Sequence, residues 1–223
     1  SREDQDAFAV WSQQKAARAQ AAGILAEEIA PVPVPQGKQG TIEFGADEFI
    51  KAGTTLEGLQ KLRPAFKKDG SVTAGNASGL NDGAAALLLA SEAGLKSHQL
   101  KPIARFVSSA VAGVEPRIMG IGPVPASQKA LAKAGLRMED MDIIELNEAF
   151  AAQSIPCIRD LGLDPQIVNV NGGAIALGHP LGCSGARIMT TLLHALAARN
   201  LNRGMASLCI GGGEAVAVVV ERL

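Results

Sequence analysis

Two reactive side chains stand in glycine-rich segments of this chain of 223 residues. His179 lies between Gly178 and Pro180, inside residues 169–185, which read NVNGGAIALGHPLGCSG. Cys209 ends an apolar run that leads into a GGG sequence. Glycine leaves backbone amides open to a substrate, and amide donors stabilise negative charge on an acyl or thioester oxygen. The pattern therefore favours acyl-transfer or thioester chemistry.

Each of these residues also has a structural interpretation. A lone histidine is often buried and hydrogen-bonded to the backbone, but the glycines around His179 favour the functional alternative. The alternative for Cys209 is a small core residue, as most free cysteines are. Packing roles are expected for Cys157 and Cys183, and structural roles for the other two histidines.

Asn147 and Glu148 stand where a predicted strand runs into a predicted helix, the usual place of functional side chains in α/β proteins. The alternative is that Asn147 caps that helix. The helix predicted after His179 presents unpaired amides and a positive dipole end, which favour a neutral imidazole.

Composition and charge exclude several other functions. With a net charge of −1, 47% hydrophobic residues and 19% charged residues, the chain lacks the basic excess of a nucleic-acid binder. No apolar run approaches the roughly 20 residues of a membrane span, and we expect neither a span nor a signal peptide. Nucleotide-binding glycine motifs are absent. The three unevenly spaced cysteines predict neither disulfides nor a metal site, and favour a cytoplasmic location.

The elements that must position the reactive residues alternate along the chain. A helix is predicted over 4–22, because Ser1 and Asp4 form a capping box. The proline-rich residues 29–34 are predicted as an edge strand or a linker. The apolar block 83–90 is predicted as a fully buried strand, with a buried helix as the alternative.

The remaining residues predict an α/β fold in which a mixed or parallel β-sheet carries helices on its faces. The last two strands are predicted to form a hairpin joined by glycines. The predicted strands are 103–108, 143–146, 167–170, 206–210 and 215–220, and the predicted helices are 125–134 and 185–199.

These motifs resemble those of the thiolase family, and within it the acetyl-CoA acetyltransferases. The resemblance is carried by NEAF at 147–150, by 172–185 and by CIGGG at 209–213, and residues 72–86 are similar as well. It extends over the whole chain and corresponds to the carboxy-terminal portion of the family. The implied fold is the carboxy-terminal half of a duplicated, layered thiolase fold, an α/β fold with a mixed β-sheet and helices on both faces.

The resemblance implies reversible condensation or thiolytic cleavage of a 3-ketoacyl-CoA through an acyl-cysteine intermediate. His179 is similar to the histidine that activates the nucleophilic cysteine and contributes to an oxyanion hole. Asn147 matches the asparagine that orients a water there, Cys209 the cysteine that moves a proton, and the Gly211 amide a donor to the second oxyanion. One preorganised donor lowers such a barrier by about 3–4 kcal/mol.

Coenzyme A thioesters are the implied substrates, and no separate cofactor is expected. The residues implied to lie along the pantetheine and adenine path of CoA are Ser78, Ala77, Ala74, Phe66, Met119 and Lys51. Lys51 and Gly58 stand where the family commonly has arginine and serine, and lysine lacks the forked donors of arginine. The resemblance also implies a homodimer or homotetramer, with no nucleic-acid or membrane partner.

The nucleophile is a further departure, because the acylated cysteine of the family belongs to its amino-terminal half and no segment here resembles that motif. We therefore expect a fragment that is inactive alone. Residues 1–79 are expected to be part of the CoA-covering loop domain, 80–100 the last strand and helix of the amino-terminal domain, and 101–223 the carboxy-terminal domain.

Two other interpretations stay open. One is a degradative 3-ketoacyl-CoA thiolase with substrates of broader chain length. The other is a non-catalytic, thiolase-like subunit that binds CoA. The departures at Lys51 and Gly58 favour the second, and so do Glu214 and Ala215, where the family commonly has glutamine or methionine and then glycine. A carboxylate near an oxyanion site weakens that site unless it points away.

Overall fold

The computed structural model describes residues 1–223, in which helices alternate with six strands. The helices are α1 Arg2–Ala21, α2 Leu56–Gln60, α3 Glu92–His98, α4 Pro123–Ala134, α5 Ala151–Asp160, α6 Ala174–Leu177 and α7 Ser184–Ala198. The strands are β1 Val32–Pro35, β2 Thr41–Phe44, β3 Ala104–Gly113, β4 Ile143–Leu146, β5 Arg203–Ile210 and β6 Glu214–Arg222. Short 3-10 helices lie at Leu25–Glu28, Gly37–Gln39, Pro116–Ile121, Met138–Asp140 and Pro165–Ile167.

A four-stranded mixed sheet forms the centre of the second half, with its strands in the order β3–β6–β5–β4. β3 and β5 both pair antiparallel with β6, whereas β4 pairs parallel with β5. A parallel pair needs a long crossover, and α5, α6 and α7 lie within it. β1 and β2 form a separate antiparallel pair, so the proline-rich segment is an edge strand.

The two faces of the sheet bury different side chains because successive residues of a strand point to opposite sides. α4 covers one face and α7 the other, which confirms the predicted α/β fold with helices on both faces. The core under α4 includes Ala126, Ala130, Leu131, Met205, Ala215, Ala217 and Val219. The core under α7 includes Ile143, Ile188, Leu192, Leu196, Ala206 and Val220.

α1 begins with the predicted capping box. Ser1 accepts a hydrogen bond from the Asp4 amide, and the Asp4 carboxylate accepts one from the Ser1 backbone. The rings of Phe8 and Trp11 share a face, with centroids 6.2 Å apart. No helix of the chain combines the length and the apolar content needed to cross a membrane.

α1 also supports the segment that leads to His179. Gly172 has a φ of 87° and lies so close to α1 that a Cβ there would approach the Ala16 amide nitrogen to 2.7 Å. Only glycine fits this position, because both the backbone conformation and the space exclude a side chain.

Three glycines close the β5–β6 hairpin. The φ angles of Gly212 and Gly213 are 88° and 97°, in the region that favours glycine. The Gly213 carbonyl accepts the Val114 amide at 2.7 Å. A side chain at Gly213 would overlap the Val114 carbonyl. The glycine run is therefore required by the turn itself.

Residues 83–90, predicted as a buried strand, form neither a strand nor a helix. Leu88 and Leu89 are 81% and 78% exposed. The prediction is wrong for this chain because a strand needs a hydrogen-bonded neighbour, and no other segment of the chain pairs with these residues. The strand expected within 80–100 is therefore absent, and only the helix α3 is present.

The strand predicted over 167–170 is also wrong. Residues Pro165–Ile167 form a 3-10 helix, and Val168 makes an isolated bridge to Ile144 of β4. Asn169 ends the pairing because its φ of 47° is left-handed, which no strand residue adopts. The other predicted strands and helices of this half are confirmed.

Candidate active site

Backbone contacts hold His179 just beyond the end of α6. The helix ends at Gly178, whose φ of 96° favours glycine. The His179 amide donates to the Gly79 carbonyl at 3.0 Å and to the Asn81 side-chain oxygen at 3.3 Å. Residues 79–81 therefore fix the backbone of His179 from a distant part of the chain.

Ser184 sets the tautomer of the His179 ring. The Ser184 hydroxyl donates to the Pro180 carbonyl at 3.0 Å, so its oxygen is left as an acceptor. The Nδ1 atom of His179 lies 2.6 Å from that oxygen and must therefore carry a proton. Nε2 is then unprotonated and can accept a hydrogen bond or a proton.

Asn147 faces the unprotonated Nε2 of His179. Its side-chain Nδ2 lies 3.3 Å from Nε2 and donates to it. Its backbone amide donates to the Ser207 carbonyl of β5 at 3.0 Å, which anchors Asn147 beside the sheet. The helix-cap alternative is wrong, because α5 begins at Ala151 and its N-cap is Phe150.

The His179–Asn147 pair is buried, with 9% and 1% of the two residues exposed. Burial lowers the pKa of His179 below its ordinary value of 6.5, and the nearby positive charge of Arg187 lowers it further. The imidazole is therefore uncharged at neutral pH, and its Nε2 is suited to general-base chemistry. The Oδ1 atom of Asn147 is buried and has no partner in the chain.

Cys209 lies near the end of β5, two residues after the carbonyl that holds Asn147. It is 7% exposed, and burial raises the pKa of its thiol above the ordinary value of 9.0. No hydrogen bond joins Cys209 to His179, so the two do not form a thiolate–imidazole pair. Cys209 belongs to no cluster of acidic, histidine or cysteine side chains that could hold a metal ion.

The Gly211 amide is exposed and makes no hydrogen bond within the chain. Nearby, Cys209 lies opposite Ala215 in the β5–β6 pair, and Ile210 lies opposite Glu214. Opposed residues point to the same face and consecutive residues to opposite faces. The Glu214 side chain therefore points away from the face that carries the Cys209 thiol.

Three of the predicted CoA-lining residues lie around Phe150, in the segment that follows Asn147. Ala77 forms a β-bridge with Phe150. The Ser78 hydroxyl donates to the carbonyl of Ala149, the residue before Phe150, at 3.1 Å. Phe66, which is 74% exposed, packs edge-on against Phe150 with ring centroids 6.1 Å apart. The structure thus brings these three residues against the surface around Phe150, three residues after Asn147.

The other predicted CoA-lining residues share no hydrogen bond with this surface. Ala74 is exposed in the same segment as Ala77. Met119 belongs to the 3-10 helix Pro116–Ile121. Lys51 is exposed, its amide donates to Gln13 of α1 at 2.8 Å, and its ammonium lies 5.0 Å from the Phe49 ring.

Sequence reasoning missed Ser184 and Asn81, which orient His179 directly. Ser184 carries a weak local signal, since it follows His179 by five residues in the first turn of a helix. The contact of Asn81 with the His179 amide spans 98 residues, and no local pattern indicates it.

Ser184→Ala is expected to release the His179 tautomer. Without the hydroxyl acceptor, the proton is no longer confined to Nδ1 and spends part of its time on Nε2. Nitrogen-15 NMR of the ring measures this as convergence of the Nδ1 and Nε2 shifts. Ser184→Thr keeps the hydroxyl and is the matched control. Identical ring shifts in Ser184→Ala and the parent chain would contradict the assignment.

Comparison with known proteins identifies the family. The thiolase N-terminal domain family matches residues 1–93, and the thiolase C-terminal domain family matches residues 100–222. The acetyl-CoA acetyltransferase of Chromobacterium violaceum is 58% identical over 221 residues, which are 99% of this chain and 56% of that protein. The acetyl-CoA acetyltransferase of Escherichia coli is 57% identical over 223 residues, which are 100% of this chain and 56% of that protein.

Solved structures agree with the sequence relatives. The crystal structure of the Bacillus anthracis acetyl-CoA acetyltransferase superposes with a TM-score of 0.97 at 50% identity, over 100% of this chain and 56% of that one. Human mitochondrial 3-ketoacyl-CoA thiolase superposes with a TM-score of 0.91 at 50% identity, with the same coverage. The chain thus spans little more than half the length of these relatives. By both its domain matches and its fold, the chain belongs to the thiolase family.

Proposed function

We propose that this chain supplies the histidine-bearing half of an acetyl-CoA acetyltransferase active site, which makes or cleaves acetoacetyl-CoA. The observation that carries the proposal is the buried pair of His179 and Asn147, in which Ser184 leaves Nε2 unprotonated. The relatives that share 57–58% identity with the chain and are named acetyl-CoA acetyltransferases support the same activity.

In the proposed reaction His179 acts first as a base and then as a donor. Nε2 exchanges its contact with Asn147 for the proton of a nucleophilic thiol, and the resulting N–H donates to the oxygen of the attacked thioester. The unpartnered Oδ1 of Asn147 is suited to hold a water in the same oxyanion site. Both roles follow from the neutral, oriented imidazole.

Cys209 and Gly211 are proposed to act on the carbonyl of the acetyl-CoA unit that leaves as an enolate. A thiol with a raised pKa is protonated at rest, so in cleavage Cys209 gives its proton to the α-carbon of the leaving acetyl-CoA enolate. It then regains a proton from the attacking CoA thiol. The free Gly211 amide donates to the enolate oxygen.

The nucleophile is proposed to be none of the cysteines in this chain. A nucleophile must form a thiolate, and burial raises the pKa of all three thiols, that of Cys157 to about 12. The Cys157 thiol also donates to the Gly120 carbonyl at 3.3 Å, which is a packing role. The acylated cysteine therefore comes from residues outside this chain.

The surface around Phe150 is proposed to receive the pantetheine arm of CoA. Phe66 is an exposed aromatic residue next to it, and the Ser78 hydroxyl lies at its edge. Residues 1–79 are proposed to cover CoA, 80–100 to complete the amino-terminal domain and 101–223 to form the carboxy-terminal domain. A homodimer or homotetramer is proposed on family resemblance, and a cytoplasmic location on the three free cysteines.

The isolated chain is expected to show no thiolysis of acetoacetyl-CoA, followed as loss of ketoacyl absorbance in the presence of CoA. The comparison is a chimera in which the unmatched part of the Chromobacterium violaceum enzyme precedes Ser1, and this chimera is expected to turn over. Robust turnover by the isolated chain would show that one of its own cysteines is the nucleophile. A folded chimera that binds CoA without turnover would favour the non-catalytic subunit.

A degradative 3-ketoacyl-CoA thiolase is the second candidate, favoured by the superposition on the human mitochondrial enzyme of that name. The two candidates differ in acyl chain length. A panel of 3-ketoacyl-CoA substrates of increasing length is assayed with the chimera and with the Chromobacterium violaceum enzyme. A difference between their chain-length preferences measures the contribution of this chain to selectivity.

A further inference from the structure

The buried carboxylate of Glu148 connects the segment that carries Asn147 with the segment that leads to His179. Glu148 follows Asn147 directly and is completely buried. Its Oε2 accepts the Ser12 hydroxyl at 2.6 Å and the Ile175 amide at 3.2 Å, and its Oε1 accepts the Asn169 side-chain amide at 2.9 Å. These contacts join α1, the end of β4 and the first turn of α6.

Each hydrogen-bond partner of Glu148 can only act as a donor. The Ser12 oxygen already accepts the Gly173 amide at 3.1 Å, so its proton is directed to Glu148. The Asn169 oxygen accepts the Leu146 amide at 2.8 Å, so its nitrogen is the atom that faces Glu148. The Ile175 amide is a donor only. The site therefore requires an acceptor with no hydrogen of its own, which is a carboxylate.

Residues 173–175 pass close around this carboxylate. Gly173 passes so close that a Cβ there would overlap the carboxyl group of Glu148. From Ile175 the single-turn helix α6 leads directly to Gly178 and His179. Glu148 is therefore joined to Asn147 by the peptide bond. Its carboxylate is joined by a hydrogen bond to α6, the helix that leads to His179.

We propose that Glu148 is a positioning residue, whose carboxylate sets the spacing between Asn147 and the His179 ring. Glutamine has the same shape but turns N–H donors toward partners that can only donate, so at least one contact must break. The helix α6 and the His179 ring then shift. A displacement of about 1 Å is enough to cost about 10²-fold in rate where groups must be aligned.

The test compares Glu148→Gln with Glu145→Gln, the same substitution at another buried glutamate, whose side chain makes no hydrogen bond to residues 169–179. The readout in this chain is the pair of His179 ring nitrogen shifts and the titration of that ring by NMR. We expect both to change in Glu148→Gln, with parent-like circular dichroism, and to stay unchanged in Glu145→Gln. Unchanged His179 shifts in Glu148→Gln would overturn the proposal.

Ser12→Ala keeps the inference testable if Glu148→Gln does not fold. It removes the 2.6 Å contact and leaves the carboxylate, so we expect a smaller change of the His179 shifts in the same direction. No change would count against the proposal.

The activity measurement rests on the proposed function and is separate from the NMR result. In the chimera, Glu148→Gln is expected to lower kcat about 10²-fold with little change in KM, and Glu148→Asp, which keeps the charge, to restore part of that loss. An unchanged kcat in an active chimera would overturn the positioning role. If the chimera has no activity at all, the proposed function fails while the His179 shifts still decide this inference.

Discussion

His179→Ala is expected to lower thiolysis of acetoacetyl-CoA by the chimera about 10³–10⁴-fold. On the proposed function, the substitution removes the general base, which contributes about 10²–10⁴-fold, and an oxyanion donor, which contributes about 10²–10³-fold. The two losses do not multiply in full, because one ring performs both tasks in a single step. The neutral state of the ring and its fixed tautomer are what make this loss large.

His98→Ala is the matched control for this measurement. His98 lies at the end of α3 and is exposed, so the same chemical change is expected to leave the rate within about twofold, as for most surface substitutions. Steady-state rates at saturating CoA decide the outcome. A His179→Ala chimera with the parent rate would show that His179 is not the general base.

Glu145→Gln is expected to stabilise the chain at about pH 8 by an amount on the order of several kcal/mol. Glu145 is 1% exposed on β4, and its Oε1 has no hydrogen-bond partner. Burial raises the pKa of this carboxyl from 4.5 to about 8, with Arg187 opposing the shift and Glu28 adding to it. The folded chain therefore retains a proton that the unfolded chain releases.

The direction of the pH dependence follows from that difference. Below pH 4.5 the carboxyl is protonated in both states, and its burial has no pH-dependent cost. Between pH 4.5 and about 8 only the unfolded state ionises, so the free energy of unfolding falls as the pH rises. Each unit of this window costs about 1.4 kcal/mol. Glutamine does not titrate, so the variant lacks this slope.

Urea unfolding of the chain and of Glu145→Gln at about pH 5, about pH 6.5 and about pH 8 measures the effect over the window where the two states differ in bound protons. The advantage of the variant is expected to grow with pH. Glu43→Gln, on the exposed strand β2, is the control and is expected to follow the parent at every pH. A constant difference between Glu145→Gln and the parent across the three values would refute the raised pKa.

Local sequence signals predicted most of the regular elements. The Ser1–Asp4 box starts α1, and Gly135 ends α4 in a left-handed conformation with a φ of 65°. The bounds of β4 are predicted as observed because three of its four residues are apolar and the strand leads directly into the NEAF segment. Such signals depend on neighbours a few residues away, which the sequence displays directly.

The failed predictions depend on distant neighbours. The block 83–90 has the composition of a buried strand, but pairing is a property of two segments, and no segment of this chain supplies the second. Val168 makes a bridge to β4, yet the left-handed backbone of Asn169 ends the pairing after one residue. Composition indicates what a segment is able to form, and a partner decides whether it forms.

The sequence by itself determined the family, the fold class and the identity of His179, Asn147, Cys209 and Gly211 as candidates, because these residues stand in distinctive glycine-rich motifs. Only the tertiary structure decided which of them meet. It joined His179 to Asn147 across 32 residues and separated the Glu214 carboxylate from the Cys209 face. The physical reason is that a tautomer, a burial-shifted pKa and a hydrogen-bonded carboxylate arise from contacts between residues far apart in the chain, which no local pattern contains.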